Sequence, residues 1–187
     1  MSDAPTQTAQ AMADYLTVAH DDRSTYLLDC ATSFPLWQEA AEAGATDGCF
    51  LVAKCHDLGV NVPQDTVVAM QWYRRGAEGG SWRCQLNLGM LVRRVGKWSD
   101  QANGEAHGWF LRAAEQGSAA AHFLLGLNFL RGQGASRDLA RARAHAREAE
   151  LAAHTASQPD LPHLVKKLLA TIDAAERNAR RRRATSE

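Results

Sequence analysis

Apolar residues recur at helical spacing along most of the chain. Met12, Tyr15, Leu16 and Ala19 fall three and four residues apart, which predicts a helix over Thr8 to His20. A second pattern places a helix around Asp47 to Asp57, followed by the turn Gly59-Val60-Asn61-Val62-Pro63-Gln64 and another helix after Asp65. Gly59 suits a left-handed C-terminal cap, Pro63 cannot continue a helix, and the Asp65 carboxylate can accept an open amide at the next helix start. Ala121, Phe123, Leu124, Leu125, Gly126 and Phe129 mark a further helix, which turns at Gly132-Gln133-Gly134 and resumes after Asp138. Past Pro159 and Pro162, Leu164, Val165, Leu168, Leu169 and Ile172 form one apolar stripe.

These segments are copies of one another. The stretch Trp72-Tyr73-Arg74-Arg75-Gly76-Ala77-Glu78-Gly79-Gly80 returns 37 residues later as Trp109-Phe110-Leu111-Arg112-Ala113-Ala114-Glu115-Gln116-Gly117. Gly132, Asp138 and Ala142 each stand 73 residues after Gly59, Asp65 and Ala69, and Phe123 keeps that offset from Phe50. Trp37, 35 residues before Trp72, is expected to open the same motif in an earlier unit, in a helix starting at Pro35. Gly126 follows Gly89 by 37 residues but Ala142 follows Ala106 by 36, so the middle unit holds one extra residue, expected in a Val95 to Gly104 loop with Trp98 packed beneath it, a binding anchor being the alternative for that ring. His145 takes the tryptophan position in the last unit.

The expected architecture is all-α, a right-handed α-solenoid of stacked helix-turn-helix repeats with a C-terminal capping helix. Its parts are a flexible N-terminus over 1–7, repeats over 8–44, 45–80, 81–117 and 118–153, a capping helix over 154–176 and a basic tail over 177–187 with a frayed Arg177 to Arg183 end. Trp72 and Trp109 are expected to fill the space between helix pairs. Burying such a ring removes about 150–250 Å² from water, so replacing either by Ala is expected to cost about 3–5 kcal/mol.

The order of a small residue, Leu-Gly, a glycine turn, Asp, Ala, an aromatic pair, Ala-Ala and Gly resembles the Sel1-like repeat, a relative of the tetratricopeptide repeat. It is carried by Ala121, Leu125-Gly126, Gly132, Gly134 and Asp138 in one unit and by Ala106, Trp109-Phe110, Ala113-Ala114 and Gly117 in another. The resemblance implies a non-enzymatic adaptor that grips a partner protein in a groove lined by first helices. The positions it points to are Tyr15, Phe50, Lys54, Asp57, Arg83, Met90, Arg93, Arg94 and Arg131. Arg83, Arg93 and Arg94 would suit an acidic segment of the partner. Similar bacterial proteins also serve as immunity partners that bind and neutralise a toxin, which is the alternative expectation.

Charge and cysteine usage refine this picture. Residues 1–65 hold ten Asp or Glu against Arg23 and Lys54, a net of −8, and the remaining chain balances it. No leader or membrane-length apolar run is visible, and Cys30, Cys49, Cys55 and Cys84 form no CxxC pair, which predicts a cytoplasmic protein with free thiols and no membrane contact. The seven histidines show no HExxH or other paired spacing, and no phosphate loop or nucleophile elbow appears, so neither metal, cofactor nor catalytic set is expected. Nucleic-acid binding by the arginine tail is a remote alternative, since the tail lacks interleaved aromatics.

Overall fold

The computed structural model describes residues 23–153 and 160–184, with side chains from residue 33 onward except that of Arg183. The expected Thr8 to His20 helix, Tyr15 and the Pro159 break lie outside the described residues, and the Cys30 side chain lies outside the described side chains. Regular structure among the described residues is entirely helical: α1 (Arg23–Glu42), α2 (Thr46–Leu58), α3 (Thr66–Glu78), α4 (Trp82–Val95), α5 (Asp100–Glu115), α6 (Ala119–Arg131), α7 (Leu139–Ala153) and α8 (Leu161–Ala184). The chain divides into two compact units, Met1–Leu88 and Gly89–Glu187.

In the first unit α1 packs on α2 and α2 on α3. The turn between α2 and α3 forms as its residues dictate. Gly59 takes the left-handed cap at φ 68° with its amide on the Cys55 carbonyl, and Asp65 accepts from the Val67 and Val68 amides at 2.9 and 3.0 Å. The core joins Trp37 and Ala41 of α1, Cys49, Leu51, Val52, Ala53 and Cys55 of α2, and Ala69, Tyr73 and Ala77 of α3. Arg75 ties α3 back to the end of α1, donating from Nη2 to the Glu42 carbonyl at 2.8 Å.

Helix α1 starts at Arg23 and runs through Pro35, so the proline stands inside the helix rather than opening it. The ring that fills the core is not the tryptophan of the Trp-aromatic pair but its neighbour. Tyr73 and Phe110 are fully buried, whereas Trp72 and Trp109 are half-buried, their rings beneath Arg75 and Arg112 at 5.5 and 4.7 Å. Helical geometry decides this, since consecutive side chains diverge by about 100° and one residue alone can point inward. Trp37, 1% exposed, therefore matches Tyr73 at an offset of 36, the same offset that relates Gly44 to Gly80.

In the second unit α5 packs on α6, α6 on α7, and α8 on both α7 and α6. One cluster joins Ala119, Ala149, Ala153, Leu161 and Val165; another joins Phe129, Ala142, Ala146, Leu168 and Ile172. Small residues set these distances. A methyl group on Gly89 would lie 2.6 Å from the Phe110 ring, so glycine is what admits the ring. The extra residue of the middle repeat is not in its loop. Only residues 96–99 separate α4 from α5, against 59–65 and 132–138 in the flanking repeats, and the longer helices α4 and α5 take up the length. Finally, α8 continues to Ala184, so Arg177 to Arg182 belong to a helix rather than to a frayed end.

Candidate functional site

The expected contact residues fall in different surroundings. In the first unit Phe50 packs against Tyr73 with ring centroids 6.3 Å apart, Lys54 and Asp57 are half-buried on α2, and Arg83 covers the Trp82 ring at 4.9 Å while reaching Asp47 at 3.7 Å. In the second unit Met90 and Arg94, four residues apart on α4, are exposed, as is Arg131 at the end of α6. Arg131 follows Arg94 by 37 residues and so holds the same repeat position.

Arg93 departs from the expectation that it faces an open groove. It is 4% exposed, its Nη2 donates to Asn128 Oδ1 at 2.7 Å, and its guanidinium lies between the Trp98 ring at 5.0 Å and the Phe110 ring at 5.1 Å. Burial and the nearby Arg131 charge both lower its affinity for its proton. Its Nε has no hydrogen-bond partner among the described residues. Periodicity alone does not separate Arg93 from Arg94, because inward and outward differ by one residue of helical phase.

The loop after α4 completes this cluster. Lys97 and Trp98 both take left-handed backbone conformations, φ 49° and 60°. The Trp98 amide donates to the Arg93 carbonyl at 3.0 Å, Asn103 Nδ2 donates to the Trp98 carbonyl at 2.7 Å, and Ser99 caps α5 by accepting from the Ala102 amide at 3.3 Å. Trp98 is 57% exposed, which corrects the expectation that it packs beneath the loop.

Histidines that look scattered in sequence meet below this cluster. His107 Nδ1 lies 3.2 Å from Asn128 Nδ2, His145 stacks on Phe129 at 5.5 Å, and His122 and His145 bring their Nδ1 atoms to 3.1 Å. Burial is the main cause that lowers all three proton affinities; Arg93 and Arg141 add to it at His107, and His122, His107 and Arg141 at His145, while Glu148 opposes it at His122 and His145. Neutral imidazoles fit this crowded pair, one ring donating to the other. Repeat spacing carries this signal, since His122 and His145 occupy facing helices of one repeat, but periodicity alone does not show that they touch. No group of three metal-ligating side chains converges among the described residues. Burial also pushes the Cys84 thiol up to about 12 and raises Cys49, so these thiols are poor nucleophiles.

The family model for the Sel1 repeat matches residues 46–81, 82–118 and 119–154. The chain belongs to the Sel1 repeat family. No curated protein matches it. Among solved structures it is similar to a protective antigen of uropathogenic Escherichia coli with an SLR fold, at 26% identity and a TM-score of 0.61 over 76% of this chain. The chain spans 37% of that antigen's length. It is also similar to a Sel1 repeat protein of Oxalobacter formigenes, at 25% identity and a TM-score of 0.59, covering 72% of this chain and 95% of that one. The fold is thus the all-helical repeat solenoid of the Sel1 class, a class that in general mediates contacts between proteins and is typically non-catalytic. No described helix of this Sel1 repeat protein is long and apolar enough to cross a membrane.

Proposed function

We propose that this Sel1 repeat protein is a non-catalytic scaffold that holds one partner protein against the outward faces of its first helices. The observation that carries this reading is the division of α4: Leu88, Leu91 and Val92 are buried, while Met90 is 43% exposed beside exposed Arg94. An exposed thioether with an arginine on the same face suits an apolar, acidic contact. Arg131 repeats the charge one unit on, and Lys54, Asp57 and Arg83 offer polar contacts within the first unit.

The test is co-purification of tagged protein from its native lysate at low and high salt, with partners identified by mass spectrometry and the experiment repeated with Arg94→Glu and Arg131→Glu. The expected result is a protein partner whose retention falls with either reversal; unchanged retention moves the contact elsewhere, and nucleic acid as the only bound species overturns the reading. One stoichiometric, salt-resistant partner whose toxicity is blocked identifies a toxin inhibitor, and several salt-sensitive partners identify an adaptor.

A further inference from the structure

We infer that the Trp98 turn of the second unit is a preformed anchor for an acidic, extended segment of the partner protein. The inference rests on the scaffold reading above and names the contact within it.

The backbone supplies the first argument. The turns of the flanking repeats place Gly59, Asn61, Gly132 and Gly134 in the left-handed region, residues that adopt it at little cost. The middle repeat places Lys97 and Trp98 there instead. A bulky side chain in that region is an outlier that persists when its surroundings hold it. Here they do: the Arg93 carbonyl takes the Trp98 amide, Asn103 holds the Trp98 carbonyl, and the Arg93 guanidinium lies against the ring. Even so held, Trp98 remains 57% exposed. Core packing therefore does not account for a tryptophan at this position.

Charge supplies the second argument. Lys97, the residue before Trp98, is exposed, the Arg93 guanidinium lies over the ring at 5.0 Å, and Arg131 is close enough to disfavour the charge on Arg93. Asp100 is the nearby acid in sequence, and it stands in the first turn of α5, where it faces the positive end of that helix. A carboxylate arriving on a partner relieves this crowding of cations, and an apolar side chain beside it covers the exposed indole. A fixed tryptophan loses little freedom on binding, which is why such rings dominate contact energetics.

The test labels the protein with 5-fluorotryptophan and assigns the Trp98 fluorine resonance through Trp98→Asn, a substitution that suits the left-handed backbone. The probe is a short peptide with four glutamates around a central Leu-Phe pair, compared with its glutamine counterpart. The Trp98 resonance is expected to move with the glutamate peptide and to stay with the glutamine one. Trp98→Asn is expected to weaken peptide binding at least about tenfold while melting within about 4 °C of the parent. Absence of a Trp98 shift at millimolar peptide, an equal response to the glutamine peptide, or a much lower melting point for Trp98→Asn overturns the inference. Shifts confined to the other tryptophans also overturn it while leaving the scaffold reading intact. The scaffold reading fails separately, if the unaltered chain retains no protein from its lysate.

Discussion

Single residues separate what is structural here from what is available for contact. Tyr73 and Phe110 are sealed in the two cores, and their half-buried neighbours Trp72 and Trp109 lie under arginines. Tyr73→Ala and Phe110→Ala are therefore expected to cost about 3–5 kcal/mol in urea unfolding, and Trp72→Ala or Trp109→Ala about 1 kcal/mol. Equal losses at all four positions sink the assignment. The adjacent arginines of α4 divide in the same way. Arg93→Glu puts a carboxylate against Asn128 Oδ1 and two ring faces and is expected to lose about 3 kcal/mol or more. Arg94→Glu, on the exposed face, is expected to stay within about 0.5 kcal/mol of the parent. Reversing Arg93 and Arg94 together therefore disturbs the fold as well as the surface.

At the scale of elements, the turns follow from local chemistry and the helix contacts do not. Gly59 with Asp65 and Gly132 with Asp138 cap their helices as the sequence implies, because capping is settled within a few residues. The meeting of His107, His122 and His145 depends on three helices and leads to a pH effect. Their proton affinities in the folded chain lie below the ordinary histidine value of about 6.5, so the unfolded chain takes up protons first as pH falls. The stability they contribute is fully present above about pH 6.5 and declines below it, until the folded chain also protonates. Melting temperature is expected to drop between about pH 7.5 and pH 5.5, and His145→Phe, which keeps the stack on Phe129, is expected to flatten that drop. A parent chain whose melting point is level across this range refutes the assignment. Between α7 and α8, Arg143 reaches Asp173 and Glu176 together, with Nη2 at 3.0 Å and Nε at 3.1 Å from the Glu176 carboxylate. Arg143→Ala is expected to speed amide exchange in the α8 turn carrying Asp173 and Glu176, and little elsewhere, as hydrogen exchange would read.

The molecule as a whole is a Sel1 repeat chain whose second unit ends in a helix that repeats do not require. Val165, Leu168 and Ile172 of α8 are buried against α6 and α7, covering apolar surface that would otherwise face water. A chain cut after residue 160 is expected to melt lower and to bind a hydrophobic dye that the full chain does not. If the shortened chain melts like its parent, α8 is not a cap. Charge is uneven along the sequence, −8 over residues 1–65 against an opposite excess beyond, and fields of this kind are screened over about 10 Å at ~0.1 M salt.

The recurrence of Trp72 to Gly80 at Trp109 to Gly117, with capped turns at a constant offset, was enough to give helix pairs, repeat length and family. These depend on periodicity and on chemistry acting over a few residues, which a sequence displays directly. Tertiary structure alone decided which aromatic of each pair enters the core, which of Arg93 and Arg94 is buried, and that His122 touches His145. It also decided that Trp98 stays outside. Each of these turns on helical phase or on contacts between distant helices. A shift of one residue rotates a side chain by about 100°, and the repeat pattern is nearly unchanged by that shift.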